Sequence, residues 1–128
     1  MKNCILMMLS IVLLTGCGQR IDDQREEAYM NITAQQAKQI MDTEEGYVIL
    51  DTRTLEEYAQ GHIPGAIVIP HDQIQEKAEI VLTDKDQLIL VYCRSGRRSK
   101  LAAQDLVDLG YTNVKEFGGI LDWPYEVE

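Results

Sequence analysis

The stretch 88–92, Leu-Ile-Leu-Val-Tyr, is apolar at every position. A strand with one wet face alternates apolar and polar side chains, so an unbroken run predicts a strand covered on both faces. A central strand of a parallel sheet, with helices above and below, meets that condition. Residues 47–50, 66–69 and 114–117 read as further strands. Helical spacing fills the gaps. Thr33 is a candidate N-cap for a helix over 34–41, with Ala37, Ile40 and Met41 on one face. A short helix runs through Tyr58. Another covers 72–82 with Ile74, Ala78, Val81 and Leu82 near one face. The last covers 99–109, with Leu101, Ala102, Leu106 and Leu109 recurring before the C-capping Gly110. The alternation of strand and helix predicts right-handed crossovers and an α/β fold, a mostly parallel central sheet with helices on both faces.

The 128 residues leave room for one such domain, assigned to 31–128. The segment before it has a different character. Lys2 precedes a run from 5 to 14 that only Ser10 interrupts. About 20 residues are needed to span a bilayer as a helix, so this run matches the core of a secretory signal instead. It ends in Leu14-Thr15-Gly16-Cys17, which resembles the bacterial lipobox. That resemblance implies a signal peptide over 1–16 and a diacylglycerol-modified Cys17 as the first mature residue. Two acyl chains suffice for stable anchoring, so the chain is expected outside the cytoplasm, tethered to a bacterial membrane. The alternatives are an ordinary signal peptide or a buried apolar helix with an incidental cysteine. Residues 17–30 carry no apolar periodicity and read as the lipidated cysteine and a polar tether, with a reach on the order of 40 Å.

The net charge of −9 argues against nucleic-acid binding, which calls for a surface that neutralises phosphates. It also offers no polybasic attraction to anionic lipid. Of the three cysteines, Cys4 falls in the signal segment and Cys17 at the lipidation site. Cys93 is then the one thiol of the folded domain, with no partner there for a disulfide. Two histidines beside one cysteine give no metal-ligand spacing.

Cys93 opens the segment Cys93-Arg94-Ser95-Gly96-Arg97-Arg98-Ser99, between the central strand and a helix. Ligands of open α/β sheets bind at the carboxyl ends of strands. A helix start adds unpaired N–H groups and the positive end of its dipole. A loop curled over it can aim several amides at one centre. Arg94, Arg97, Arg98 and Lys100 make this a basic cluster in an acidic chain. Such surroundings favour a thiolate, the nucleophilic form. The plain alternative is a small buried cysteine beside solvated arginines.

Beyond this electrostatic reading, residues 31–123 resemble a single-domain rhodanese. Leu50-Asp51-Thr52-Arg53, Glu57-Tyr58, Gly61-His62-Ile63-Pro64-Gly65-Ala66 and Pro70 resemble the family's first signature. The Cys93 loop followed by Ala102-Ala103 and Leu106 is similar to its active-site segment. Gly110-Tyr111-Thr112-Asn113-Val114, Gly118-Gly119 and Trp123 resemble its closing pattern. The resemblance implies a sulfurtransferase. Cys93 would take sulfane sulfur from a small anionic donor such as thiosulfate and pass it, through a persulfide, to cyanide or a thiol. It further implies Arg94, Ser95, Gly96, Arg97, Arg98 and Ser99 as the substrate-binding loop and no metal or organic cofactor. Asp51 and Arg53 read as loop support, and the chain as a monomer. His62 reads as a turn residue, and His71 has no evident role. A persulfide carrier for a membrane partner stays open as an alternative. A cysteine-dependent phosphatase or arsenate reductase fits less well. Its loop ends in arginine at the sixth position after cysteine, whereas here Arg98 is fifth and Ser99 sixth. A thioredoxin-like redox site fits poorly, since position 96 is glycine rather than a second cysteine.

Overall fold

The computed structural model describes residues 29–128. The expectations for the signal segment, Cys17 and the tether up to residue 28 lie outside the described residues. In chain order the elements are β1 (Tyr29–Asn31), α1 (Ala34–Thr43), β2 (Val48–Asp51), α2 (Leu55–Ala59), β3 (Ile67–Val68), α3 (Ile74–Val81), β4 (Ile89–Cys93), α4 (Arg97–Asp108) and β5 (Val114–Gly119). Single 3₁₀ turns at His71–Gln73 and Ile120–Asp122 complete the series. The strands form one sheet in the order β1-β5-β4-β2-β3, every pair parallel.

Alternate residues of the central strands feed two apolar layers. Leu50 on β2, with Ile89 and Val91 on β4, meet Ile74, Ala78, Ala102, Ala103 and Leu106 from α3 and α4. Ile49, Leu90 and Tyr92 meet Ala37, Ile63, Phe117 and Trp123 on the other side. Both faces of β4 are therefore covered, as its unbroken apolar run requires, and all five of its residues are buried. Capping boxes set two helix starts. Thr33 and Gln36 exchange side-chain bonds with each other's backbone N–H at 3.0 and 2.9 Å, opening α1. Thr54 and Glu57 do the same for α2 at 3.1 and 3.2 Å.

The structure corrects several boundaries. Tyr29 and Met30, read as tether, belong to an edge strand paired in parallel with β5. Only Ile67 and Val68 of the 66–69 run pair as a strand. The helix expected over 72–82 is a 3₁₀ turn followed by α3. Val81 at its end is 51% exposed rather than in the core. The helix expected from Ser99 begins two residues earlier, because Gly96 serves as its N-cap. Leu101, expected to face inward, is 50% exposed, and Ser99 takes a place on the buried face with Ala102, Ala103 and Leu106.

Candidate active site

Three neighbouring strands deliver the site from their carboxyl ends: β2 brings Asp51, β4 brings Cys93 and β5 brings Glu116 to Gly119. Cys93 is the last residue of β4 and has no exposed surface, yet it belongs to neither apolar layer. Its Sγ accepts a hydrogen bond from the Gly96 N–H at 2.9 Å. Gly96 can aim that amide because its φ of +101° lies in the left-handed region, where a side chain is strained. The following amides of Arg97, Arg98 and Ser99 form the first turn of α4 and have no partner within the helix. They add to the positive helix end around the sulfur.

A bulge in β5 makes room for this loop. Val91 pairs with Glu116 and Cys93 with Gly119, so three steps of β5 lie opposite two steps of β4. The absence of a side chain at Gly119 lets the loop backbone lie directly on the strand: a Cβ there would fall 2.0 Å from the Arg94 carbonyl oxygen. The Arg94 carbonyl in turn accepts the Leu121 N–H at 3.2 Å.

The cationic residues separate into two kinds. Arg94 and Arg97 are exposed. Arg94 lines an open cleft of about 280 Å³ with Arg53, Glu57, Gln60, Gly61, Ile120 and Leu121. Ser95 is exposed at the loop tip. Arg98 is half-buried and held in a two-pronged bond by Glu57, at 2.7 and 2.9 Å. That bond is the main cause holding the Glu57 carboxyl down at about 2, below its ordinary 4.5. It likewise raises Arg98, with smaller contributions from the Glu57 and Cys93 charges. The Arg98 guanidinium thus serves first to tie α4 to α2. A larger groove, about 420 Å³, opens between α1 and the segment around Trp123 and Tyr125. It contains no residue of the cysteine loop, whereas the smaller cleft is lined by Arg94 of that loop.

Asp51 and Arg53 face each other in a buried ion pair at 2.6 Å. Burial pulls the Arg53 guanidinium down, but the bond to Asp51 and its charge outweigh that and leave it raised. Arg53 also donates to the Gly61 carbonyl at 2.7 Å, which fixes the turn beside the cleft. Asp51 accepts the Tyr92 hydroxyl at 2.6 Å, and that oxygen accepts the Ile63 N–H at 3.1 Å. Burial first, then the Asp51 bond, pushes the Tyr92 hydroxyl well above the usual phenol range. Tyr92 precedes Cys93, so this network grips β4 immediately before the cysteine loop. The His62 ring stacks on Tyr58 at 3.8 Å, away from the sulfur's bonds. Among the described residues no group of three His, Cys, Asp or Glu side chains is placed to hold a metal.

Sequence signals alone do not single out Glu116. It is 2% exposed, and its Oε1 accepts from the Ser99 hydroxyl at 2.7 Å and from the Gly118 N–H at 2.8 Å. A charged residue two places after the strand-opening Val114, on the same face, is the signal that could have found it.

A parallel α/β sheet with a cysteine loop at the end of its central strand defines a class, and the Rhodanese-like domain family model matches residues 33–125. The chain belongs to the rhodanese-like domain family. It is 40% identical over 73 residues to thiosulfate sulfurtransferase PspE of Escherichia coli K12, covering 57% of this chain and 70% of that protein. It is 38% identical over 88 residues to a sulfurtransferase of Allochromatium vinosum, covering 68% of this chain and 79% of the relative. Among solved structures, a rhodanese-related protein from Thermoplasma volcanium superposes with a TM-score of 0.68 at 32% identity, covering 78% of this chain and 98% of that one. These relatives support sulfur transfer as the general class of reaction.

Proposed function

We propose that this domain moves sulfane sulfur from a small anionic donor such as thiosulfate to a thiophilic acceptor, through a persulfide on Cys93. The observation that carries the reading is the Gly96 amide on the Cys93 sulfur, at the start of α4 and beside the exposed Arg94 and Arg97. In the first step the Cys93 thiolate attacks the outer sulfur of thiosulfate. A new S–S bond forms on Cys93, the donor's own S–S bond breaks, and its electron pair leaves with sulfite. In the second step cyanide or a thiolate attacks the terminal sulfur and Cys93 departs as thiolate. The Gly96 amide and the first-turn amides stabilise the anion at both stages. Arg94 is best placed to hold the donor's charge, with Arg97 second.

Intact mass spectrometry after thiosulfate treatment tests this. The protein gains one sulfur and Cys93→Ser gains none; a wild type that gains none refutes the reading. Loading without turnover to cyanide or a thiol would favour the carrier alternative. The lipobox-like quartet supports a further part of the proposal, anchoring through acylated Cys17 on the outer side of a bacterial membrane. Expression of the full chain with a labelled fatty acid, with Cys17→Ser as comparison, tests it.

A further inference from the structure

We propose that Glu116 is a positioning residue for the Cys93 loop, holding the start of α4 so that the Gly96 amide stays on the sulfur. Its consequence for the reaction rests on the sulfur-transfer reading, but its geometry does not. Glu116 is a buried carboxylate, and no ion pair reaches it among the described residues. Burying a charge without a cation is costly, so an ordinary core position would hold an apolar residue. Its Oε1 instead serves two donors, one at the bulge and one at the helix start. One is the Gly118 N–H at 2.8 Å, at the bulge where the regular ladder is interrupted. The other is the hydroxyl of Ser99, the third residue of α4, at 2.7 Å. Ser99 Oγ also lies 3.1 Å from the Gly96 carbonyl oxygen. The Ser99 hydroxyl has one proton, given to Glu116 at the shorter distance, so the link from Glu116 reaches Gly96 through Ser99 and the first turn of α4, and runs on from the Gly96 N–H to Cys93 Sγ at 2.9 Å.

The same carboxylate fixes both sides of the loop's bed. Gly119 lies beneath the Arg94 and Ser95 backbone and Gly118 beside Gly96, together forming the floor, and α4 forms the wall. Without the Oε1 hub the floor and wall remain in contact, but the part-buried Gly118 N–H loses its acceptor and the Ser99 hydroxyl is left with the longer approaches to the Gly96 and Gly118 carbonyls, at 3.1 and 3.4 Å.

The test compares Glu116→Gln, Glu116→Leu and Ser99→Ala with the wild-type protein. Glutamine keeps an Oε1 that can accept both bonds, so Glu116→Gln retains sulfur uptake and Gly96 amide exchange near wild type. Leucine removes both bonds. In Glu116→Leu, uptake of sulfur from thiosulfate in a single turnover falls about tenfold or more, with the half-saturating thiosulfate concentration little changed. Hydrogen exchange of the Gly96 amide, followed by NMR, quickens by a similar factor, while the core amides of Ile49 and Leu90 keep their rates. Ser99→Ala, which removes only a hydroxyl, moves both readouts in the same direction and decides the matter should Glu116→Leu not fold. Wild-type behaviour in Glu116→Leu and Ser99→Ala overturns the proposal. So does quickening of Gly96 and the core amides by one common factor, which would mark Glu116 as a general stabiliser. If wild type itself takes up no sulfur, the functional reading fails, and the Gly96 exchange comparison still decides the positioning role.

Discussion

Replacing Gly119 by alanine adds one carbon at the place where the β5 backbone touches the Cys93 loop. Gly119 has an ordinary extended φ of −127°, so alanine meets no conformational penalty there. The cost is steric. The new Cβ would sit 2.0 Å from the Arg94 carbonyl oxygen, 2.4 Å from its carbon and 2.6 Å from the Ser95 Cα. Carbon contacts are comfortable at about 3.5–4.0 Å, so the loop backbone must retreat by more than about 1 Å. Overpacking of this kind costs about 1–3 kcal/mol, and the upper end applies because both sides are backbone. The retreat also carries the Gly96 amide away from the sulfur, and a misplacement of about 1 Å can slow chemistry on the order of 10²-fold. A glycine away from the site provides the control. A Cβ added at Gly46 would meet open space, with nothing within 4 Å, but the backbone there has a φ of +76°. Gly46→Ala should cost about 1–2 kcal/mol through conformation while leaving the loop in place and uptake near wild type. Urea melts give the stabilities, and single-turnover sulfur uptake read by intact mass gives the rates. Uptake at the wild-type rate in Gly119→Ala would refute the packing argument. Equal slowing in both variants would show that backbone strain, rather than contact with the loop, governs the rate.

Three further outcomes follow from the geometry. Glu57 has a folded-state value of about 2 against an ordinary 4.5, chiefly through the Arg98 bond. A depressed carboxylate stabilises above its unfolded value and loses that effect as pH falls through its folded one. Wild type should therefore exceed Glu57→Gln by about 1–2 kcal/mol at neutral pH, after allowance for partial exposure. The difference should shrink from about pH 4.5 downward in urea melts, and one that persists undiminished near pH 3 would contradict the assignment. Tyr92→Phe leaves the buried Ile63 amide without its acceptor and removes one donor from Asp51. It should destabilise by about 1–3 kcal/mol by chemical denaturation, and an unchanged midpoint would show that the network relaxes freely. Thr33→Ala breaks the capping box of α1 and should cost about 1 kcal/mol with sulfur uptake unaltered, since α1 lies outside the site.

The central strand, the cysteine loop and the helix after it were legible because their signals are local. An apolar run, a glycine and a cluster of arginines lie within a dozen residues. The start of α4 was not, because the apolar spacing begins only at Leu101, whereas the helix opens two residues before Ser99 on the Gly96 backbone with no side-chain cap. β1 escaped notice for a related reason. Tyr29 is half-buried while Met30 and Asn31 are exposed, so the strand is defined by its ladder to β5 rather than by any pattern of its own. Glu116 was missed because charge in a strand suggests a wet face. Its burial comes from β5 lying between β1 and β4 under α4, a long-range fact. The arginines were visible as a group, but their division was not. Only the fold brings Glu57 to Arg98 and leaves Arg94 at the cleft.

The order β1-β5-β4-β2-β3 places Cys93, the proposed nucleophile, on the innermost strand and the shortest strands at the rims. Local opening of a protein begins where few contacts hold the chain. Loss of either rim would thus leave intact the three strands that carry Asp51, Cys93 and Glu116. Catalytic competence in this molecule should outlast its first structural losses, surviving a nick or a trimmed border and failing only when the middle of the sheet gives way.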